Sequence, residues 1–172
     1  MTSVMSIPSG TVTFLFTDIE GSARACEENQ SGRGQSGLAR RLARHNAILD
    51  EATAQNSGSV FKTIGDAYCL AFGTADDALA TAIDAQFALA EEDWGCGVVR
   101  PVRVRMGLHT GPAQAQEGDY YGPALNRTAR ILATGHGGQV LCSGLAPIYR
   151  TVMGLGADGA DGWDASKATR LR

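Results

Sequence analysis

The segment Thr11–Thr17 reads TVTFLFT, β-branched and aromatic at nearly every position, and it runs directly into an acid, Asp18. Such a run reads as a buried strand, and therefore as part of a sheet with helices packed against it. The carboxylate at its C-terminal end then sits at a sheet margin, where polar chemistry can reach solvent. Everything downstream must supply neighbours for this strand.

The rest of the chain supplies them. After the Gly/Ser-rich stretch Ser31–Gly37, residues Leu38, Leu42, His45, Leu49 and Ala52 recur at helical intervals with charges between them, which predicts an amphipathic helix ending before Gly58. Ser59–Ile64 and Ala67–Phe72 read as two strands joined at Gly65-Asp66, where glycine permits the positive φ of a tight turn. Thr74–Glu92 predicts a second helix with Ala78, Leu79, Ala82, Ile83 and Phe87 on its apolar face, broken near Trp94–Gly97. Val102–His109 alternates as a strand, Pro112–Tyr121 reads as an irregular hairpin arm, and Pro123–Thr134 as a helix with proline in its first turn. A short strand, Gln139–Cys142, and a helix, Leu145–Val152, follow. Strands alternating with helices predict an α/β (α+β) sandwich, a partly hairpin-paired sheet with helices packed against it. The glycine-rich stretch 153–172 offers no convincing strand.

At 172 residues the chain has the size of one domain, enough to bury roughly two thirds of its unfolded surface. A net charge of −3 argues against broad polyanion binding, so no nucleic-acid role is expected. No apolar run approaches a membrane span and residues 1–10 lack a signal-peptide pattern, giving the expectation of a cytoplasmic protein without membrane attachment. The four cysteines form no C-x-x-C pair and read as reduced packing residues, while His45, His109 and His136 are too scattered to be metal ligands.

Two carboxylates stand out, Asp18 in FTDIEGS and Asp66 in KTIGDAY, each at the end of a strand. Brought to one sheet edge they would suit a hard, oxygen-seeking cation, Mg²⁺ or Mn²⁺; apart, each is a solvated turn aspartate. The backbone amides from Ile19 through Glu20 and Gly21 to Ser22 would follow in a turn of the kind that holds phosphate oxygens. Asn126 and Arg130, four apart in GPALNRTARI, share a helix face and present an amide beside a guanidinium; a plain solvated helix face explains the pair equally well. The G-x-G-x-x-G match at Gly154–Gly159 lacks a surrounding strand and helix and is set aside.

In order and spacing, FTDIEGS, FKTIGDAY, GLHTG and GDYYGPALNRTAR together resemble the catalytic domain of class III adenylate cyclases, over about Thr11–Val152. The resemblance implies a ferredoxin-like βαββαβ core with helices packed on a mostly antiparallel sheet. It divides the chain into an extension, 1–10, a catalytic domain, 11–152, and a tail, 153–172. It implies that Asp18, Asp66 and the carbonyl of Ile19 bind two divalent cations, that Asn126 orients the ribose of ATP, and that Arg130 contacts the reacting phosphate. Lys62 and Asp119 fall at the positions that read the purine. A donor and an acceptor match adenine, which offers an acceptor at N1 and a donor amine at C6, and oppose guanine at both. The implied activity is adenylate cyclisation at sites shared across a homodimer. A guanylate cyclase and a non-catalytic nucleotide-binding module of the same fold are the alternatives. Relatives usually continue into a lysine-bearing hairpin, for which Lys167 is a weak substitute.

Overall fold

The computed structural model describes residues 7–21, 34–94, 102–143 and 163–164. The expected helix 145–152, residue Ser22, Cys26, Cys96, the glycine-rich match at 154–159 and Lys167 lie outside these residues, as does the side chain of Leu38.

The first strand, β1 (Gly10–Ile19), is longer than its apolar run and includes Asp18. Helix α1 (Gly34–Gln55) leads to the hairpin β2 (Ser59–Ile64) and β3 (Ala67–Phe72), then to helix α2 (Ala75–Glu91) and strand β4 (Val104–Ala113). A small two-stranded arm, β5 (Ala115–Gln116) and β6 (Asp119–Tyr120), precedes helix α3 (Pro123–Ala133) and strand β7 (Gln139–Ser143). The tail does contribute a strand, contrary to expectation: β8 (Trp163–Asp164) pairs antiparallel with Gln139 and Val140. Two residues are too few to produce a periodic signal, so only the neighbouring β7 edge defines them as a strand.

The main sheet has the order β2-β3-β1-β4-β7-β8, antiparallel throughout except for β4 and β7. Its first four strands with α1 and α2 make the βαββαβ core, so the fold is the mixed α+β architecture expected. β1 is hydrogen-bonded on both edges, by β3 and β4. Its side chains alternate between two cores. Leu15 joins Ile48, Leu49, Leu70, Leu79, Met106 and Leu108 beneath α1 and α2. Val12, Phe14 and Phe16 join Cys69, Tyr120 and Ala124 on the opposite face, beneath α3 and the arm. Burying one Phe or Leu side chain stabilises the fold by about 1.5–3 kcal/mol, and this strand does so on both sides.

Local chemistry sets the helix boundaries. Thr74 caps α2, its hydroxyl oxygen accepting the Asp77 amide at 3.1 Å. The buried seam of α2 runs through Ala78, Leu79, Ala82, Ala85 and Leu89, with Ile83 packed at its margin. Phe87, expected on that seam, is rotated away from it and is 41% exposed. On α3 the buried residues are Ala124 and Thr128, with Leu125 and Leu132 half-buried; Ala129 is exposed. The α3 seam is centred between 124 and 128, which turns 129 to the rim. Gly107 lets this helix lie close to β4, because a Cβ there would come within 2.8 Å of the Leu132 amide nitrogen. Cys69 and Cys142 are free thiols within β3 and β7, and burial raises them to about 11 and about 12 respectively. Neither is a ready thiolate at neutral pH. No helix among the described residues is long and apolar enough to cross a membrane.

Candidate functional site

The two acids flagged in the sequence lie at the same end of β1. Asp66 sits in the β2–β3 turn, where Gly65 takes φ +64, and its Oδ2 accepts the backbone N–H of Ile19 at 3.0 Å. The turn is thereby tied to the end of β1, one residue beyond Asp18. Asp18 lies directly across from Arg105 of β4 in the sheet register, and its Oδ2 accepts from both Arg105 Nε, at 2.8 Å, and Nη2, at 2.6 Å. Both side chains are only partly exposed, 34% for Arg105 and 23% for Asp18. Charge-assisted contacts of this length are among the stronger hydrogen bonds a surface site can make.

Two carboxylates converging beside a strand end offer hard oxygen donors. No group of three or more His, Cys, Asp or Glu side chains gathers among the described residues. A cation here would therefore complete its shell with substrate phosphate and water, the manner in which Mg²⁺ is commonly held, and the donor set fits it.

The phosphate turn expected after Asp18 is largely committed elsewhere. The Ile19 amide is used by Asp66, and the Glu20 amide donates to the Arg103 carbonyl at 2.8 Å. The Glu20 carboxylate accepts the Gly137 N–H at 3.0 Å and so ties β1 to the loop before β7. Both the backbone amide and the carboxylate of Glu20 are thus engaged within the chain. Gly21 lies in the turn with φ +75, and no described contact engages it.

At the other end of the constellation, Lys62 and Asp119 form an ion pair, bridging β2 to the arm. Each shifts the other in the expected sense: the Asp119 contact raises the Lys62 ammonium, and the Lys62 contact holds Asp119 below the ordinary carboxylate range, helped by the Tyr120 amide. Beneath them is an aromatic clamp. Phe61 and Tyr120, the chain neighbours of the two charged residues, meet edge to face at 4.9 Å, and both rings pack on Phe14, at 5.9 and 5.0 Å. The Tyr120 hydroxyl donates to the Pro8 carbonyl at 2.5 Å.

Asn126 and Arg130 lie on the exposed face of α3. The buried Thr128 hydroxyl on the opposite side donates to the Ala124 carbonyl at 2.8 Å. Of the candidate residues, then, the structure pairs Lys62 with Asp119, places Asp66 against the Ile19 amide one residue beyond Asp18, and carries Asn126 and Arg130 on one helix. Arg105 escaped notice in the sequence because within VRVRMG it reads as an ordinary outward strand residue. Only its cross-strand register with Asp18 reveals it.

Comparison with known proteins identifies the family and the fold. The model of the adenylate and guanylate cyclase catalytic domain matches residues 4–151. The chain belongs to that family. It is 36% identical over 141 residues to an uncharacterised protein of Mycobacterium tuberculosis, covering 79% of this chain and 44% of the relative. It is 30% identical over 171 residues to an adenylate cyclase of Mycosarcoma maydis, covering 86% of this chain but 6% of that protein. The chain therefore spans less than half the length of these curated relatives. Among solved structures, an adenylate/guanylate cyclase/hydrolase from Silicibacter pomeroyi superimposes with a TM-score of 0.71 at 26% identity, over 85% of this chain and 83% of that one. An adenylate cyclase domain from Trypanosoma brucei, in its monomeric state, gives a TM-score of 0.75 at 22% identity, over 90% and 87% of the two chains.

Proposed function

We propose that this cyclase domain converts ATP to 3′,5′-cyclic AMP and pyrophosphate, at sites formed between two copies of the chain. The observation that carries the choice of base is the Lys62–Asp119 pair, a donor beside an acceptor mounted on a common aromatic base. Adenine can take the place of each partner for the other, receiving from the ammonium at N1 and donating its amine to the carboxylate. Guanine meets both groups with the wrong polarity, and unpaired polar groups in a closed site are costly.

In the reaction the ribose 3′-oxygen forms a bond to the α-phosphorus while the bond from that phosphorus to the oxygen bridging to the β-phosphate breaks. Pyrophosphate carries away the bond's electron pair, and the hydroxyl proton passes to solvent. Asp18 and Asp66, with the Ile19 carbonyl, would hold two divalent cations, Mg²⁺ or Mn²⁺, which when bound supply Lewis acidity at the hydroxyl and charge neutralisation at the phosphates. Asn126 holds the ribose so that the oxygen lies in line with the breaking bond. Arg130 offers its planar guanidinium to the charge that grows on the transferring group, a role whose removal commonly costs about 10²-fold or more in rate.

Sharing between subunits follows the family resemblance, with the acids of one chain facing Lys62, Asp119, Asn126 and Arg130 of the other. One chain carries both halves, so a two-fold dimer closes two equivalent sites. The test is turnover by purified protein with ATP or GTP and Mn²⁺, across protein concentration. Cyclic AMP formed from ATP in preference to cyclic GMP from GTP, with specific activity rising as dimers form, is expected. Equal use of both nucleotides would end the base assignment.

A further inference from the structure

Asp18 is asked to hold a cation, yet a permanent cation already holds it. The Arg105 guanidinium does not deprotonate in any ordinary pH range, and it approaches Asp18 Oδ2 through two nitrogens at once. The contact is built into the sheet, since Asp18 and Arg105 are direct cross-strand partners between β1 and β4, both hydrogen-bonded along their lengths. Asp66 is meanwhile held through its Oδ2 by the Ile19 amide. A divalent ion arriving alone thus meets two partly engaged carboxylates and a neighbouring positive charge in a partly desolvated setting, where charges are poorly screened. A triphosphate reverses that balance, because its own negative charges satisfy the guanidinium and the ion together.

We infer that Arg105 makes cation loading of the Asp18–Asp66 pair dependent on nucleotide, by occupying Asp18 when no triphosphate is present. The inference rests on the reading of these two acids as cation ligands given above. Its consequence is a site that ignores free divalent ions at ordinary concentrations and fills with cation and nucleotide together.

The experiment is a titration of the full chain, free of nucleotide, with Mn²⁺ followed by electron paramagnetic resonance of the unbound ion. Arg105→Met keeps much of the side-chain length and removes the charge, and it should bind Mn²⁺ about 10-fold or more tighter than the unaltered protein. Arg105→Lys retains the charge and should stay within about 3-fold of it. The double variant Arg105→Met with Asp18→Asn should lose the gain. Equal or weaker Mn²⁺ binding by Arg105→Met, with binding still dependent on Asp18, overturns the inference while leaving the cation site intact. Absence of Mn²⁺ binding from every variant overturns the site itself and the inference with it. A measurement on the unaltered chain guards against a misfolded variant: the Arg105 Nε–H should remain slow to exchange with solvent when Mg²⁺ alone is added at low millimolar concentration. Its release by micromolar Mg²⁺ would refute the proposal.

Discussion

The two ends of the candidate site are built by different means. At the acid end, position is set by backbone: Asp18 belongs to a central strand paired on both edges, and Asp66 is tied by an amide of that same strand. At the base end, position is set by side chains: Lys62 lies on the edge strand β2 and Asp119 on a two-residue strand, and the Lys62–Asp119 ion pair and the Phe61–Tyr120 contact join the two elements. Backbone-mounted groups have little freedom to adjust, whereas side-chain-mounted ones can be retuned by a single substitution. The acid end is therefore suited to chemistry common to the family, and the base end to the choice of nucleotide.

Removing an acid of the acid end, or the guanidinium proposed to face it from the other subunit, should have the largest effect. Asp18→Ala and Arg130→Ala are each expected to lower turnover by about 10²-fold or more. Mixed and allowed to exchange subunits, the two should recover to about a quarter of the unaltered activity, since half the dimers are mixed and each keeps one intact site. Failure of exchanged subunits to recover would count against shared sites. At the base end the change should be one of preference instead. Lys62→Glu is expected to shift the ratio of kcat/KM for ATP over GTP toward GTP by about 10- to 100-fold, measured by competition between the nucleotides.

The aromatic base allows a finer comparison. Phe14→Ala removes a fully buried ring shared by strand and arm and should cost about 3–5 kcal/mol in denaturant unfolding. Tyr120→Phe keeps the ring and loses only the hydroxyl bond to Pro8, so it should cost about 0.5–1.5 kcal/mol. If it instead changes nucleotide preference as much as Lys62→Glu does, the base end is less separable than described.

The smallest effect is expected from a buried group behind the acid end. His45 is fully buried, its Nε2 has no hydrogen-bond partner among the described residues, and burial lowers its pKa despite the opposing Asn46 hydrogen bond and the charges of Asp66 and Asp50. With the folded value below the unfolded value of about 6.5, the unfolded chain takes up the proton first. This residue thus subtracts nothing well above pH 6.5 and progressively destabilises the fold as pH falls from there toward its folded value. Melting temperature should drop on going from pH 7.5 to 5.5, and His45→Leu should flatten part of that slope.

Much of this was legible in the sequence because the informative residues are local. The β2–β3 hairpin was read to the residue, since two strand-forming runs flank a glycine that permits the positive φ of a tight turn. The placement of Asp66 beside the end of β1 was a reasonable expectation of strands that end at acids. What escaped notice depends on pairings between distant segments. Arg105 has no spacing signal until β1 and β4 are aligned, and the engagement of Glu20 by Gly137 joins residues at opposite ends of the domain. The outward turn of Ala129 and Phe87 reflects which stripe of each helix meets the sheet, which a rough apolar count does not resolve.

The absence of a side chain at Gly107 has a mechanical consequence. With no spacer between the strand and Leu132, the helix bearing Asn126 and Arg130 is seated against the strand that bears Arg105, so a displacement of either is transmitted to the other. A single added methyl at that point would pry the two apart and misalign three polar groups at once, without touching any of them.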